Sequence, residues 1–406
     1  MLRNLAALFR TPASRTVALI FALNSVLFGN WFARIPAVQG DLGLSEGDLG
    51  LALLGLPLGS VIGLPLAGGL VARFGAGRVT WWSAIAFSLA LPLPALAGGA
   101  LGLALGLAVL GLATGILDVA MNAEAAAIET GSDLSLMSSF HAMYSLGGLL
   151  GAATGGLAAA VGLATGPHLI AFALAAVLVV YSRLGTMSAG PAAVHPDSPA
   201  APLVALPRGP LIGLALVGCA TMLGEGAAAD WSAVYLASGL GTGQAVAALG
   251  FAAFSGGMTV GRLYGDGLRD RYGEVAVVRG GALVAAAGLG LGLFLAQPWA
   301  AVVGFACLGL GFAGIVPILF RRAAAAPGFA PGVGLAAVAA VGYAGFLAGP
   351  PFIGLAAEYV GLGPALTVVP ALALLIALAA GPVLRAVTAG PTPAADASTA
   401  RPLTTP

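Results

Sequence analysis

The sequence predicts an all-α membrane protein with twelve transmembrane helices, arranged as two pseudo-symmetric halves of six helices each. Three observations predict this fold: 59% of the 406 residues are hydrophobic, only 8% are charged, and the apolar residues form runs long enough to span a bilayer. Since a soluble globular protein carries about 25% charged residues, this chain cannot cover a water-facing surface. The composition therefore excludes a cytosolic enzyme, a nucleic-acid-binding protein and a disordered regulator.

Hydropathy places twelve spans along the chain. Its 63 glycines and 26 prolines lie within apolar runs, which transmembrane helices tolerate. The first run follows several arginines, as in a secretory signal, but no cleavage context follows Trp31, so we expect an uncleaved helix. The predicted spans are 15–36, 48–71, 79–97, 102–128, 137–160, 167–187, 210–237, 244–265, 275–296, 299–320, 332–357 and 362–385.

The spans divide into two domains joined by a linker. Residues 1–187 form the predicted N-terminal six-helix bundle, and residues 210–387 form the C-terminal one. Residues 188–209 are rich in proline, alanine and small polar residues, which predicts a cytoplasmic linker. Residues 388–406 have a similar composition and are expected to be a disordered cytoplasmic tail.

Arginine supplies all sixteen basic residues and predicts the orientation. With the N-terminus inside, fifteen arginines fall in cytoplasmic segments, and only Arg34 lies toward the outer side. The positive-inside rule then predicts a multi-pass protein of the plasma (inner) membrane with both termini in the cytoplasm. Asp41, Glu46 and Asp48 mark an acidic outer loop, where Ser45 followed by Asp48 forms a capping pattern that predicts the start of the second span.

The two halves repeat each other at an offset of about 200 residues. Four matches in the same order indicate a parallel duplication, which places a substrate site between the halves. The matches are Asn30-Trp31 with Asp230-Trp231, Arg73-Phe74-Gly75 with Arg271-Tyr272-Gly273, Gly115-Ile116-Leu117 with Gly314-Ile315-Val316, and Tyr144 with Tyr343.

The loop after the second span resembles the signature loop of the major facilitator superfamily. It reads Gly68-Gly-Leu-Val-Ala-Arg73-Phe-Gly75-Ala-Gly-Arg78, where the family has Gly, then Asp-Arg four and five positions later, then Gly and basic residues. Ala72 replaces the usual Asp. The second copy restores the acid in Asp270-Arg271, but it has Asp266 where the glycine belongs. The resemblance implies the major facilitator fold over nearly the whole chain.

Four charged residues in these two loops are expected to act in gating as conformational latches. They are Arg73, Arg78, Asp270 and Arg271. Arginines near helix ends can bond exposed carbonyls or acidic neighbours in one transport state. Since Ala72 lacks the acid, we expect the latch of the first half to be the weaker one.

A narrower resemblance lies in the fourth and fifth spans. Asp118-Val-Ala-Met-Asn122-Ala-Glu124 and Ser138-Ser-Phe-His141-Ala-Met-Tyr144-Ser145 resemble a bacterial inner-membrane branch related to fucose–proton symporters. In those symporters an acidic residue of the fourth span carries coupling, and Asp118 is its counterpart by motif position. Substrate identity does not follow, because their acidic residue in the first span has no matching carboxylate here.

Ionisable residues within the spans are the candidate proton-coupling residues: Asp118, Glu124, His141 and Glu225. A charged side chain at the bilayer centre costs ~2.5–3.5 kcal/mol, so each needs a partner, water or a proton. Asp118 and Asn122 share one helix face, and Glu124 and His141 lie at similar depth on adjacent helices, which predicts a hydrogen-bonded pair. The alternative is a structural lock between these helices.

The remaining polar residues of the spans suggest a gate and a binding site. Arg34 and Asp230 lie at the outer ends of the first and seventh spans, which predicts an ion pair that closes the outer side in the inward-open state, or two unrelated interfacial charges. The candidate substrate-binding residues, for which ordinary helix packing is the alternative, are Asn24, Asn30, Asn122, Tyr144, Trp231 and Tyr343.

Three further expectations concern histidine, arginine and cysteine. His168 and His195 are expected to be solvated, in an outer loop and in the linker respectively. Arg262 is expected to pair with Asp266, four residues later on the same helix. The two cysteines, Cys219 and Cys307, have no metal or disulfide spacing, so we expect thiols buried in helices and no metal.

These features predict a secondary active transporter that moves a small polar, sugar-sized solute by alternating access, with proton-coupled symport. The chain has no nucleotide-binding phosphate loop, so we expect no cofactor and no ATP-driven step. Expected partners are the solute, protons and the lipid bilayer, without nucleic acid, and the functional unit is expected to be a monomer.

Two alternatives remain. Proton-coupled efflux of drugs or metabolites is the first, but the Gly-x-x-x-Gly-Pro pattern of drug antiporters is missing from the fifth span. That pattern occurs instead in the eleventh span, at Gly345-Phe-Leu-Ala-Gly349-Pro350, which mildly favours uptake. From another class, a membrane-embedded enzyme would need a catalytic pair and a sensor would need a soluble domain. The sequence offers neither, so we expect no enzyme.

Overall fold

A computed structural model describes residues 6–132, 136–187, 206–326, 329 and 333–388. Ten helices in these residues are long and apolar enough to cross a membrane. The helix Met137–Ala160 and the shorter apolar helix Thr165–Tyr181 bring the helical segments described to twelve, named α1 to α12 in chain order. The predicted fold class, an all-α membrane protein of twelve helices, is confirmed.

Each predicted span coincides with one of these helices. In the first half they are α1 Pro12–Leu42, α2 Glu46–Phe74, α3 Ala76–Leu96, α4 Ala100–Thr130, α5 Met137–Ala160 and α6 Thr165–Tyr181. In the second half they are α7 Leu211–Gly239, α8 Gln244–Tyr272, α9 Glu274–Leu295, α10 Pro298–Ala324, α11 Val333–Val360 and α12 Leu362–Val387. Most of the predicted linker and tail, residues 188–205 and 389–406, lies outside the described residues, so the domain boundaries stay a prediction.

The first helix is longer than the predicted span, because it ends at residue 42 rather than at residue 36. It continues through Pro36 to Leu42, and Gly43 then adopts a left-handed conformation (φ 61°) that ends it. The next helix begins three residues later, at Glu46. Ser45 caps α2 by accepting a hydrogen bond from the Asp48 backbone N–H at 3.1 Å, as the capping pattern predicts.

Glycines at equivalent positions build the same turns and contacts into both halves. Gly75 (φ 87°) and Gly273 (φ 81°) end α2 and α8 with the same conformation, which favours glycine because it has no Cβ. A Cβ on Gly59 of α2 would lie 2.0 Å from the carbonyl oxygen of Ala108 in α4, and one on Gly257 of α8 would lie 2.1 Å from that of Ala306 in α10.

The same correspondence relates α1 with α5 to α7 with α11. A Cβ on Gly147 or on Gly345 would lie 2.2 Å from a carbonyl oxygen of the partner helix, that of Ala22 or Cys219. Small residues let helix backbones approach closely, which is how helices pack in a membrane without a hydrophobic driving force. The packing of the two halves therefore repeats, as the sequence offset predicts.

Two faces of the bundle are used below. The arginine-rich face is the end at which α2, α4, α8 and α10 finish; it carries Arg73, Arg78, Arg269, Arg271, Arg321 and Arg322. The acidic-loop face is the opposite end, at which α1, α5, α7 and α11 finish; it carries Asp41, Glu46, Asp48 and Glu358.

Candidate functional site

A cavity of about 300 Å³ lies between the two halves, at the middle of the bundle. We call it the central cavity, and side chains from α1, α2, α4 and α5 face α7, α8 and α11 across it. A second cavity of about 480 Å³, the vestibule, shares Asp118, Glu225, Arg262 and Tyr343 with the first. It continues to the arginine-rich face, where Arg269 and Arg321 line it. The two cavities form one path from the centre to that face.

On the acidic-loop face, α2 and α11 bring the two halves together. The Glu358 carboxylate at the end of α11 accepts hydrogen bonds from the Ser45 hydroxyl and, at 3.2 Å, from the Gly47 backbone N–H. One turn further along α2, a Cβ on Gly50 would lie 2.6 Å from the carbonyl oxygen of Pro350. Side chains at these positions would separate the helices. The first turn of α2 and the last turns of α11 thus form a tight contact beyond the central cavity.

Three of the four predicted proton-coupling residues, Asp118, His141 and Glu225, line these cavities. Asp118 lies where the central cavity meets the vestibule, and its carboxylate accepts a hydrogen bond from the Asn122 amide at 3.2 Å. Their predicted shared face is therefore present. Glu225 of α7 lines the same junction, and Asp230 lies five residues further along α7, toward the acidic-loop face. Carboxylates from both halves meet in one cavity.

Arg262 does not form the predicted pair with Asp266. Asp266 pairs with Arg269 at 2.8 Å, and Arg262 reaches across to α5 of the other half. There it donates to the Ser145 hydroxyl at 2.7 Å and to the His141 carbonyl oxygen at 3.3 Å. Arg262 lies about one turn deeper in the bundle than Asp266, where α5 offers acceptors. This arginine also interacts electrostatically with Glu225.

Four of the six predicted substrate-binding residues line a cavity. Tyr144 and Tyr343, which are equivalent in the two halves, both line the central cavity, and both interact electrostatically with Asp118. Asn24 lines it as well and accepts a hydrogen bond from the Thr114 hydroxyl at 3.5 Å. Asn122 lines the vestibule. A solute in these cavities would meet polar groups from both halves.

Asn30 and Trp231 do not line the central cavity in this conformation, so their role in substrate binding stays a prediction, whereas the expectation that His168 is solvated is wrong. All three side chains are fully buried, and none is among the described residues that line the central cavity. The Asn30 amide oxygen lies 2.8 Å from Nε2 of His168, which is on α6 rather than in a solvated loop. Trp231 packs against Gly354 of α11. The repeated sequence at these positions therefore serves helix packing. His195 lies outside the described residues.

Arg34 and Asp230 do not form the predicted ion pair in this conformation. Arg34 donates to the Leu163 carbonyl oxygen, beyond the end of α5 in its own half. In the described part of the chain, the ion pairs within 4 Å belong to Arg269, Arg321 and Arg322. The guanidinium of Arg34 thus finds an acceptor inside the first half, whereas Asp230 faces the central cavity.

The predicted pair of Glu124 and His141 stays a prediction. Glu124 is buried, at 2% exposed. His141 lines the vestibule, and its ring meets Phe21 edge to face, with 5.3 Å between ring centroids.

The residues of the two signature loops make local contacts in this conformation. Arg73 lies 5.2 Å from the centre of the Phe74 ring, and Arg271 lies 5.2 Å from that of Tyr272. Asp270 pairs with Arg269 at 2.9 Å, and Arg78 is exposed. Their role as latches stays a prediction about another conformation.

The sequence analysis missed an aromatic wall in the central cavity. Five phenylalanines line the cavity, and the wall consists of the four on α1 and α8, namely Phe28, Phe32, Phe251 and Phe254, while Phe346 lies on α11. The rings of Phe28 and Phe32 stack with centroids 5.5 Å apart, and Phe32 meets Phe251 edge to face at 4.7 Å. Their spacing of four and three residues places each pair on one helix face, a signal that the sequence does contain.

Comparisons with known proteins agree on a family. Residues 17–328 match the sequence profile of the Major Facilitator Superfamily. An uncharacterized MFS-type transporter of Yersinia pestis is 33% identical over 367 residues, which cover 90% of this chain and 94% of that protein. Two solved structures share the fold. A mutant of the nucleoside transporter NupG has a TM-score of 0.68 at 14% identity (92% and 98% coverage), and a D-xylose-proton symporter has 0.66 at 17% (90% and 96%).

Proposed function

The chain belongs to the Major Facilitator Superfamily, and we propose that it is a secondary active transporter of a small polar solute. The solute is proposed to cross through the central cavity by alternating access. One observation carries this proposal. The cavity lies between the halves, beyond it α2 and α11 are in contact, and the vestibule leads from it to the arginine-rich face. A binding site reached from one side is what alternating access requires.

We propose that the arginine-rich face is cytoplasmic. The positive-inside rule supports this, because the loops after α2 and α8 carry arginines while the opposite face carries acids. Both termini would then be cytoplasmic, the conformation described here would be inward-open, and the membrane would be the inner membrane. The contact between α2 and α11, which lies within one chain, closes this path at the acidic-loop face, which supports a monomeric functional unit.

We propose that Asp118 and Glu225 exchange the coupling protons. Both line the path, and each has a different partner: the neutral Asn122 for Asp118 and the charged Arg262 for Glu225. Protonation of Glu225 would free Arg262 to hold α5 more firmly, whereas its ionised form would compete with α5 for the guanidinium. The charge of Glu225 would thus act on the contact between the two halves. Glu124 and His141 remain candidates behind this pair.

The solute is proposed to be polar because Asn24, Tyr144 and Tyr343 line the cavity. The names of the two structural neighbours, a nucleoside transporter and a D-xylose-proton symporter, support this choice. The Gly349-Pro350 sequence, which resembles an antiporter pattern, lies at the α2–α11 contact, so packing accounts for it without efflux. Uptake therefore remains the preferred direction.

The experiment is counterflow in proteoliposomes with panels of sugars, nucleosides, carboxylates and amines, followed by accumulation driven by an inward-directed proton gradient. Asp118→Asn and Glu225→Gln should abolish the gradient-driven accumulation but leave counterflow measurable. Asp48→Asn, at an exposed acid outside both cavities, is the control and should behave as wild type. The proposal fails if no compound exchanges. Coupling fails if both variants still accumulate solute.

A further inference from the structure

We propose that the end of the central cavity nearest the acidic-loop face binds the ammonium group of a small organic cation, through the Asp230 carboxylate and the rings of Phe28, Phe32 and Phe251. This inference rests on the proposed function, because it concerns the same cavity, and it names the chemical class of the solute.

The charges that line the central cavity favour a cation. They comprise three carboxylates, those of Asp118, Glu225 and Asp230, and one guanidinium, that of Arg262. The guanidinium is already held by the Ser145 hydroxyl and the His141 carbonyl oxygen, and it lies beside Glu225. A cleft with excess charge of one sign and apolar walls concentrates ions of the opposite sign. An anionic solute would be repelled here.

Asp230 supplies the carboxylate with which the ammonium group of the solute would pair. It is 9% exposed, and within the described residues no side chain forms an ion pair or a hydrogen bond with it. Buried charges in proteins are normally paired, because removing them from water is costly. Since Asp230 lines the cavity, its partner has to come from the cavity, as water, as a proton or as a bound cation.

The aromatic wall favours a bound cation among the possible partners of Asp230. Phe28, Phe32 and Phe251 line the same cavity as Asp230 and touch one another, with centroid distances of 5.5 and 4.7 Å. A proton needs no such wall, and phenylalanine offers no hydrogen bond to a hydroxyl group. An ammonium group is attracted to ring faces by about 0.5–2 kcal/mol. A carboxylate beside a set of aromatic rings is the chemistry that recognises alkylammonium groups.

The other end of the cavity fits a polar substituent on the same molecule. Asn24, Tyr144 and Tyr343 lie there with Asp118 and can bond hydroxyl groups. The volume of about 300 Å³ is at the small end of ligand pockets. The expected solute is therefore a compact amine or quaternary ammonium compound that also carries hydroxyl groups.

The test measures binding by calorimetry to the purified full-length protein in detergent, with choline chloride as the probe. The matched neutral probe is 3,3-dimethylbutan-1-ol, which has the same shape without the charge. Choline should bind at millimolar concentration or tighter, measured against sodium chloride of equal ionic strength. The neutral alcohol should bind at least tenfold more weakly.

Three variants locate the site. Asp230→Asn should weaken choline binding at least tenfold and Phe32→Leu about threefold to tenfold, while Asp48→Asn leaves it unchanged. Melting curves of each variant show whether it is folded. Equal binding of both probes, no choline binding, or choline binding unaffected by Asp230→Asn would overturn the proposal. Because no transport is measured, choline binding without counterflow would overturn only the transport function, and counterflow without choline binding would overturn only this inference.

Discussion

Removing the charge of Glu358 should shift the protein away from the conformation described here. Its carboxylate accepts two hydrogen bonds from the first turn of α2, and this contact joins the two halves on the acidic-loop face. Hydrogen bonds to a charged group contribute about 1.5–3 kcal/mol when buried, and charge at a helix N-terminus contributes about 0.3–1 kcal/mol. Since Glu358 is exposed, we expect Glu358→Gln to cost about 1 kcal/mol, which lowers the population of this conformation about fivefold.

Substitutions at three glycines separate the effect of the Glu358 charge from the effect of helix packing at the α2–α11 contact. Gly50→Ala should have a larger effect than Gly47→Ala, because its Cβ would meet the backbone of α11, whereas that of Gly47 would meet the movable end of the Glu358 side chain. Gly40→Ala is the matched control, since nothing lies within 4 Å of a Cβ there.

The assay is a distance measurement by electron–electron double resonance across the acidic-loop face. Spin labels at the exposed Asp41 and Tyr359, in a background without Cys219 and Cys307, report the separation of the two halves. Glu358→Gln and Gly50→Ala should add a population at longer distance. If both variants fold and neither changes the distance distribution, the α2–α11 contact does not control this equilibrium and the reasoning is refuted.

Three further predictions concern other parts of the bundle. Arg262→Gln should slow counterflow, because the contact with α5 loses its charge; unchanged counterflow would remove Arg262 from the mechanism. Gly59→Ala should lower the melting temperature and Gly68→Ala should not, since only the first Cβ would meet backbone; equal melting would contradict the tight α2–α4 packing. His168→Ala should cost about 1–2 kcal/mol by removing one of the partners of the Asn30 amide oxygen without changing probe affinity, and a loss of affinity measured by calorimetry would place this pair in the site.

The fold was predictable from the sequence because transmembrane helices are set by length and hydropathy. The offset of about 200 residues between Tyr144 and Tyr343 was equally informative, and both tyrosines line the central cavity. Asp118 could be placed because a carboxylate within an apolar span has few alternatives to a polar path.

The rotation of each helix about its own axis was not predictable. Asn30 and Trp231 are polar or aromatic residues within apolar spans, as are the residues that line the cavity, but their side chains point into helix contacts. The contact of Arg34 could not be predicted, because a backbone carbonyl of a neighbouring turn, which a sequence does not reveal, supplies its acceptor. The aromatic wall was missed because phenylalanines such as Phe32 look ordinary within an apolar run.

The close glycine contacts within each half have a mechanical consequence. Gly55, Gly59 and Gly63 hold α2 on α4 over successive turns, so neither helix can turn about its axis without backbone collision. Such a pair can tilt only as one rigid body. Across a hydrocarbon layer about 30 Å thick, each 10° of tilt displaces one end of the pair by about 5 Å relative to the other. A small change in the tilt of this pair would therefore open a gap wide enough for a small molecule at one face of the bundle.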